Sequence, residues 1–304
     1  MAEITYSELV GRINSVVNLP MVDRFLLGYS TMGQEIYGMH IGAYTGPQII
    51  IESGMHAREY PAVLTVLGMA EYLATISTTL SGGVYIIPLI NPDGVKVVLE
   101  GVDWLPCENY REYLKTLNGG SPDYSQWKAS ATAVDLNVNF PALWGEGAQN
   151  VFCPAPANFV GWYPASEREV RLLIDFTYSI SPALTLSYHT KGDVIYYGFE
   201  ALSPTELSRD RMYADIIARV NGYTPIRTEN SVGGYSDWVS EYIGVPAYTI
   251  EVGAVTLPTP IPLSAVESAI SANKDVPVVL LEALSEMLEN TTSTASKTLK
   301  YKGE

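Results

Sequence analysis

Short apolar runs recur along the chain and are separated by longer amphipathic stretches. The short runs are rich in β-branched and aromatic residues and are bounded by glycine, proline or polar residues, which is typical of buried strands. We therefore predict buried strands at five places: QIIIES (48–53), VYIIPLI (84–90), ALTLSYH (183–189), VIYYG (194–198) and AYTIE (247–251).

The longer stretches have the three-to-four-residue apolar spacing of helices. Helices are predicted at five places: about 5–18, 61–76, 166–180, 205–220 and 264–288. Ser166 followed by Glu169 has the spacing of a capping box at the start of one of them. Strands that alternate with helices favour an α/β fold, in which a largely parallel sheet is covered by helices on both faces. Such folds collect their chemistry at the carboxyl ends of the strands.

The composition favours one globular domain with a large core. The chain has 304 residues, of which 47% are hydrophobic and 17% are charged, and it shows no internal repeat or Gly/Ser linker. We expect a single domain over residues 1–304, with a catalytic core at about 20–288 and a short polar C-terminal tail. Residues 141–165, rich in proline, glycine and aromatics, predict a long ordered surface loop of functional importance.

The charge and the cysteines argue against several classes of protein. The formal net charge is −15, from 33 acidic and 18 basic residues, which disfavours a nucleic acid or an anionic membrane surface as partner. No apolar run reaches the roughly 18–20 residues of a membrane span, and the first residues lack the features of a signal peptide, so we expect a cytoplasmic protein. Cys107 and Cys153 are expected to be reduced, and a single bridge between them is the alternative in an exported protein.

Candidate metal ligands stand where predicted strands end. Of the three histidines, His40 is expected to be a strand residue, whereas His56 follows one strand and His189 closes another. His56 and Glu59 form an H-x-x-E pair at a helix start, where residues three apart lie on the same side and reach one ion together. With His189 they make a two-His, one-Glu set that leaves a position for water, as catalytic zinc sites do. Ordinary polar residues at strand ends are the alternative.

Glu251 ends a further apolar strand, AYTIE. A carboxylate buried there needs a partner. Beside a zinc ion it is suited to take a proton from water, because the metal lowers the pKa of that water. A strand-end salt bridge is the alternative role of this residue.

Six segments follow one another in a characteristic order: GMHARE (54–59), LINPDG (89–94), VDLNVNF (134–140), SYHTKGD (187–193), GGYSDW (233–238) and TIEVG (249–253). They resemble the zinc metallocarboxypeptidase family over roughly residues 20–285. The resemblance implies a mixed sheet of about eight strands between helices. It also implies one zinc ion per chain, held by His56, Glu59 and His189, with Glu251 as the catalytic carboxylate and a peptide as substrate.

The substrate-binding positions depart from those of typical carboxypeptidases. Val138 stands where the family has an arginine that grips the substrate carboxylate. The oxyanion-stabilising arginine of the family falls near Lys128 or, by the pattern of bacterial relatives, at Thr132, so Lys128 is the remaining cationic candidate. The tyrosine that covers the substrate is missing, since Glu229 and Asn230 occupy its neighbourhood. The carboxylate clamp of an ordinary carboxypeptidase is therefore incomplete.

Three segments, SQWKAS…VDLNVNF, YHTKGDVIYY and SVGGYSDW, are most similar to the bacterial branch that cleaves cell-wall peptides at the γ-D-glutamyl–diaminopimelate bond. Such enzymes recognise carboxylates on a partly D-configured peptide. We expect substrate contacts from Arg58, Asn137, Lys191 and Tyr235. The plain alternatives are a surface or ion-pair role for the two cations and a turn-forming role for Asn137.

The sequence thus predicts zinc-dependent hydrolysis of an amide bond in a murein-type peptide that carries D-glutamate and a diamino acid, with Lys128 or Arg58 helping to hold the oxyanion. Two alternatives stay open. A non-catalytic peptide- or metal-binding protein of the same fold fits the missing arginines, although it has no need to keep Glu251 as a base. A zinc carboxypeptidase or deacylase with another substrate, such as an N-acyl amino acid, keeps the chemistry and changes the pocket.

Overall fold

The computed structural model describes residues 3–301, with side chains described as far as residue 289. Its strands are β1 (Asp23–Tyr29), β2 (Glu35–Gly42), β3 (Gln48–Ser53), β4 (Gly83–Ile87), β5 (Leu184–His189), β6 (Val194–Tyr197), β7 (Thr224–Arg227) and β8 (Ala247–Glu251). Its helices are α1 (Tyr6–Val17), α2 (Tyr60–Thr75), α3 (Pro92–Glu100), α4 (Glu108–Leu117), α5 (Arg168–Ile180), α6 (Pro204–Asn221), α7 (Tyr235–Trp238), α8 (Val266–Asn273) and α9 (Val276–Tyr301).

The strands form one eight-stranded sheet in the order β1-β2-β4-β3-β5-β8-β6-β7. The four central strands, β4, β3, β5 and β8, are parallel to one another. Next to them on either side, β2 and β6 run antiparallel. The mixed sheet of about eight strands is therefore confirmed, and its parallel part is its centre.

Helices cover both faces of this sheet, as predicted. Strand β3 shows the division, because Ile49 and Ile51 belong to one core cluster and Ile50 belongs to the other. The alternation follows from the two-residue period of a strand. The first cluster is closed by residues of α1, α2, α6, α8 and α9. The second is closed by α5 and α7, and it lies beneath the pocket described below.

Two strands, β1 and β7, escaped prediction because they form the edges of the sheet. The edge strands β1 and β7 are mostly exposed or half-buried, so they lack the continuous apolar run of a strand that is buried on both faces. Strand β2 carries the histidine that was expected in a strand, His40. The predicted strand at 84–90 ends at Ile87, immediately before Pro88, and proline cannot donate to a strand ladder.

Two helix predictions need correction. The capping box of Ser166 and Glu169 does not form: α5 begins at Arg168 after Glu167, and no side chain caps it. Ser166 Oγ donates to Glu167 at 2.8 Å, and the carboxylate of Glu169 accepts the backbone N–H of Thr31 at 2.7 Å. The adjacent Glu167 therefore engages Ser166, and the distant Thr31 engages Glu169, in place of the predicted pairing.

The predicted helix at 264–288 is two helices, α8 and α9, and α9 continues through the predicted polar tail as far as Tyr301. Residues 302–304 lie outside the described part of the chain. The N-terminal helix is confirmed as α1, with Thr5 and Glu8 forming a capping box. Among the described residues, no helix combines the length and the hydropathy needed to cross a bilayer.

Residues 141–165 are irregular, as expected of a long loop, and contain an isolated bridge between Val151 and Phe159. Cys107 and Cys153 are exposed free thiols. The expectation of two unpaired cysteines is therefore met in this structure. The assignment of the whole chain to one domain stays a prediction.

Candidate active site

The predicted site residues come together at the carboxyl ends of the central parallel strands. His56 follows β3, His189 is the last residue of β5 and Glu251 is the last residue of β8. His189 and Glu251 are direct partners in the β5–β8 register. The carboxyl ends of parallel strands meet at one edge of the sheet, which explains why residues distant in sequence converge here.

Three metal-ligating side chains meet at one point. Nδ1 of His56 lies 2.9 Å from Oε1 of Glu59, and Nδ1 of His189 lies 2.9 Å from Oε2 of the same carboxylate. The two Nδ1 atoms are 3.0 Å apart. All three residues are buried. Glu59 lies in a 3₁₀ turn before α2, and the backbone N–H of Thr190 donates to its Oε2 at 3.2 Å.

This donor set fits a zinc ion. Donors placed at about 2.0–2.1 Å around a tetrahedral ion are separated by roughly 3.3 Å, close to the separations seen here. Two imidazoles and a carboxylate are also the donors that zinc prefers. Burial opposes protonation of His189, but the hydrogen bond and charge of Glu59 prevail and raise its pKa to about 9. An electron-rich cluster that attracts a proton so strongly is suited to a cation.

Behind His56 lies a buried ion pair. Nζ of Lys128 is 2.8 Å from Oδ2 of Asp135, whose side chain is fully buried. Oδ1 of Asp135 lies 3.3 Å from Nε2 of His56, within ion-pair range but off the line of a hydrogen bond. Burial would raise the pKa of Asp135, but Lys128 and then His56 hold it well below its usual range. An ionised carboxylate on the outer nitrogen favours metal binding by Nδ1 of His56.

Glu251 faces the metal-ligating cluster from the end of β8. Its Oε2 is buried and accepts no hydrogen bond from any described residue. Burial, followed by the charge of Glu59, raises the pKa of Glu251 to about 7. A carboxyl with such a pKa is suited to exchange protons at neutral pH.

These residues open into a pocket of about 420 Å³. His56, Lys128 and Glu251 line it on the side of the cluster. Side-chain amides are prominent in its wall: Asn137, Gln149, Asn150, Asn158 and Asn230. Three of them, Gln149, Asn150 and Asn158, belong to the long loop at 141–165, so that loop contributes to the pocket. Among the described lining residues, Lys128 is the one lysine or arginine.

The structure separates the two positions considered for an oxyanion-stabilising cation. Lys128 lines the pocket, and its Nζ also lies 3.3 Å from Oδ1 of Asn158. Thr132 donates instead to the carboxylate of Glu167 and lines a different cavity. An ammonium group has three donors, so Lys128 keeps one N–H for a ligand after these two contacts.

Of the four residues predicted to contact substrate, Asn137 lines the pocket and the other three do not appear among its described lining residues. Asn137 lines the pocket, and its Oδ1 accepts the backbone N–H of Tyr235 at 3.1 Å. Tyr235 itself is fully buried, and its hydroxyl pairs with Thr177 at 2.8 Å, so the expectation that its ring contacts substrate is wrong. Arg58 donates to the carbonyl of Gln126 at 3.3 Å, and Lys191 donates to the carbonyl of Val255 at 3.0 Å.

Arg58 and Lys191 do not appear among the described residues that line the pocket. Roles for them in substrate binding therefore stay predictions. Sequence reasoning missed the part played by Asp135, although it is the one charged residue in VDLNVNF (134–140), which was a signal. Asn158 carried no such signal, because a long loop brings it to Lys128.

Comparison with known proteins agrees with this geometry. The sequence profile of the zinc carboxypeptidase family matches residues 20–260. The chain belongs to the zinc carboxypeptidase family. Zinc is therefore the metal that the cluster of His56, Glu59 and His189 is suited to hold. One such cluster is found in the part of the chain whose side chains are described.

Individual proteins are similar to this chain over most of its length. It is 34% identical over 256 residues to gamma-D-glutamyl-L-diamino acid endopeptidase 1 of Lysinibacillus sphaericus, a match that covers 80% of this chain and 63% of that protein. The chain thus spans somewhat less than two thirds of the length of this relative. It is also 28% identical over 261 residues to the uncharacterized protein YqgT of Bacillus subtilis, covering 79% and 67% of the two chains.

Solved structures support the fold. Carboxypeptidase A from Helicoverpa armigera superposes with a TM-score of 0.72 at 20% identity, covering 93% of this chain and 74% of that one. The murein-tripeptide amidase MpaA from Escherichia coli O157 superposes with a TM-score of 0.56 at 21% identity, covering 85% and 91%. The carboxypeptidase-like fold predicted from the motifs is confirmed.

Proposed function

We propose that the protein is a zinc-dependent amidase that hydrolyses the γ-D-glutamyl–diamino acid bond of a cell-wall-type peptide. The observation that carries this proposal is the convergence of three metal-ligating side chains with Glu251 on one pocket. The relative from Lysinibacillus sphaericus, named for this bond specificity, supports the choice of substrate. We also propose a cytoplasmic location, which subcellular fractionation tests.

In the proposed mechanism, His56, Glu59 and His189 hold the metal. A bound zinc ion supplies Lewis acidity and lowers the pKa of water to about 7, which provides a nucleophile at neutral pH. Oε2 of Glu251 takes the proton of the attacking water and later delivers it to the leaving amine nitrogen. Because one carboxyl performs both transfers, a pKa near 7 serves it as base and then as acid.

Lys128 stabilises the negative charge that develops on the carbonyl oxygen. Its third N–H is directed to no other described residue, and its ammonium is fixed by Asp135 at 2.8 Å. A donor held in place before the reaction needs no reorganisation during it, and loss of one such donor typically costs a factor of about 10²–10³ in rate. Oδ1 of Asp135 also lies 3.3 Å from Nε2 of His56, so one carboxylate contacts both the proposed metal ligand and the cation.

The substrate preference follows from what the pocket lacks. Val138 lines it at the position where typical carboxypeptidases have a carboxylate-binding arginine, and valine cannot donate. The amide side chains of Asn137 and Asn158 offer neutral hydrogen bonds in place of a charged clamp. A peptide recognised along its amide groups, with no free terminal carboxylate required at this position, fits such a wall.

The test is incubation of the zinc-loaded protein with L-Ala-γ-D-Glu-meso-diaminopimelate and with a mixed muropeptide digest, followed by mass spectrometry of the products. We expect masses that correspond to cleavage between D-glutamate and the diamino acid, and no cleavage by Glu251→Gln. Ordinary C-terminal peptides and N-acyl amino acids are the comparison substrates. Exclusive cleavage of those would contradict the proposed bond, and no cleavage of any substrate would favour the non-catalytic alternative.

A further inference from the structure

A buried carboxylate that the proposed mechanism does not use lies in the sheet close to the metal-ligating cluster. Glu52 belongs to β3 and is fully buried. In the parallel pairing of β3 with β5, it stands directly opposite Ser187, two residues before His189. Side chains of a strand alternate between its two faces, so Ser187 and His189 point to the same face of the sheet as Glu52. Glu52 is therefore a close neighbour of a proposed metal ligand.

Both of these side chains have buried polar atoms that still need a partner. The two carboxylate oxygens of Glu52 accept no hydrogen bond from any described residue. Nε2 of His189 is equally buried and bonds to none of the residues whose side chains are described. Nδ1 of the same ring faces Glu59 at 2.9 Å, so Nε2 lies on the other edge of the imidazole. Buried polar groups without a partner are costly, and a buried water commonly satisfies them.

The charges of Glu52 and His189 act on each other. Burial raises the pKa of Glu52, and His189 is the first of the groups that oppose this rise. Burial lowers the pKa of His189, whereas Glu59 prevails in raising it. The charges of Glu251 and then Glu52 add to that rise. This mutual effect agrees with the proximity that the strand register gives the two side chains.

The other imidazole of the cluster already has a carboxylate at its outer nitrogen. Oδ1 of Asp135 lies 3.3 Å from Nε2 of His56. An imidazole that binds a metal almost always donates its other ring N–H to a carboxylate, a carbonyl or a water, and this contact fixes its tautomer and orientation. Glu52 is the carboxylate placed to serve His189 in the same way. Because the two side chains share no direct hydrogen bond, a water is needed between them.

We propose that Glu52 is a positioning residue that holds Nε2 of His189 through one buried water and thereby keeps Nδ1 directed to the metal. A water that bridges two polar groups is nearly as favourable as a direct hydrogen bond. Oγ of Ser187, opposite Glu52, is a third polar group beside this water, and a buried water takes two to four partners. The inference rests on the metal-binding part of the proposed function and is independent of the choice of substrate.

The proposed contact does not depend on the charge of Glu52. A carboxyl group keeps an acceptor oxygen in both of its protonation forms, and the side chain of glutamine keeps one as well. Leucine has a similar volume and no acceptor. The variants Glu52→Gln and Glu52→Leu therefore separate the loss of a charge from the loss of the acceptor.

The first experiment measures the Kd for zinc by competition with a chelator. Loss of such a partner of a ligating histidine typically costs about 10–100-fold in metal affinity, so we expect that loss in Glu52→Leu and a change within about threefold in Glu52→Gln. Glu169→Leu is the control, because Glu169 is also a buried glutamate, and its carboxylate binds the backbone N–H of Thr31. Its zinc affinity should equal that of the wild type. Denaturant unfolding of the metal-free proteins shows which variants fold.

The second experiment observes the imidazoles directly. The chain has three histidines, so NMR of protein labelled with ¹⁵N-histidine resolves each ring, and His40→Gln removes the one outside the cluster. In the zinc-loaded wild type we expect His189 to carry its proton on Nε2, with a downfield signal from the hydrogen bond. The signal should move upfield in Glu52→Leu and less so in Glu52→Gln. If Glu52→Leu does not fold, the shift in Glu52→Gln decides.

Two results would overturn the role of Glu52: a folded Glu52→Leu that binds zinc as tightly as the wild type, or a His189 signal that neither variant alters. The proposed function fails in a different way. If no peptide is cleaved but zinc affinity depends on Glu52 as described, the proposed reaction is wrong and the positioning role stands. If γ-D-glutamyl peptides are cleaved while Glu52→Leu leaves zinc affinity and the His189 signal unaltered, the reaction stands and the positioning role is wrong.

Discussion

Replacing Lys128 by methionine removes the charge that compensates Asp135 and keeps most of the side-chain volume. The two groups are 2.8 Å apart, and the aspartate side chain is fully buried. Loss of one partner of a buried ion pair costs about 3–5 kcal/mol. Asp135 keeps the backbone N–H donors of Asn137 and Asn158, each at 3.1 Å, so we expect about 3 kcal/mol. At an unfolding entropy of about 2.1 cal/mol/K per residue, Tm falls by roughly 5 °C.

The same variant has a defined pH dependence. In the wild type, Lys128 and His56 lower the pKa of Asp135 despite its burial. The stability from this carboxylate is therefore present above its unfolded pKa, near 4, and is lost as the pH falls below it. In Lys128→Met, burial still raises the pKa of Asp135, but the charge of Lys128 no longer opposes it. The stability difference between the two proteins should be complete at neutral pH and should narrow as the pH falls toward 4 and below.

Thermal and denaturant unfolding measure these differences, and the double variant Lys128→Met/Asp135→Asn separates structure from chemistry. Removal of both charges leaves no uncompensated ion, so we expect stability within about 1 kcal/mol of the wild type. Activity should not return, because the donor to the oxyanion is still missing. In Lys128→Met, kcat/KM should fall about 10²–10³-fold while zinc content, measured in excess metal, is unchanged.

Lys115→Met is the matched control, because this half-exposed lysine also pairs with a carboxylate, Glu112, at 2.9 Å. Solvent screens surface pairs, so the loss of this one should have little effect on stability. If Lys128→Met were no less stable than Lys115→Met, or if the double variant were no more stable than Lys128→Met, the buried-pair reasoning would be refuted. An unchanged kcat/KM in Lys128→Met would refute its role at the oxyanion.

Three further predictions concern the metal, the base and a buried acid. Glu59→Gln should lower bound zinc from about one per chain to well below one by elemental analysis, and 1,10-phenanthroline should abolish wild-type activity reversibly; full activity in the chelator would contradict the zinc mechanism. Glu251→Gln should reduce kcat by at least about 10²-fold with KM within a few-fold and zinc content unchanged; a variant as active as wild type would remove Glu251 from the mechanism. Burial raises the pKa of Glu169 to about 7. Its stabilising contribution is therefore present below its unfolded pKa, near 4.5, and is lost as the pH rises through 7, by up to about 3 kcal/mol. Glu169→Gln should lack this loss in unfolding experiments from pH 4 to 8, and parallel curves for the two proteins would contradict it.

The central strands and the candidate metal ligands could be predicted from the sequence because local patterns encode them. A strand buried on both faces is rich in apolar residues, and β3, β5 and β8 are buried along most of their length. Parallel strands bring their carboxyl ends to one edge, so polar residues placed just after them, such as His56 and His189, are expected to meet. The H-x-x-E spacing adds Glu59 by the geometry of a single turn.

Tertiary structure alone decided the surroundings of these residues. The sequence left two positions, Lys128 and Thr132, for the residue that stabilises the oxyanion. Only the packed loops direct the lysine to the pocket and the threonine to Glu167. Tyr235 follows a glycine pair next to the expected substrate site, yet its ring is buried against α5, where its hydroxyl meets Thr177.

The physical reason for this difference is the sequence separation over which the interactions act. The strands, helix starts and H-x-x-E spacing are set by interactions within a few residues, and sequence displays them directly. A side chain's direction and its ion pairs depend on loops folded from distant parts of the chain, where burial and charge compensation select one partner among several. The cluster of His56, Glu59 and His189 was therefore predictable from the sequence, whereas the lysine–aspartate pair behind it emerged only from the folded protein.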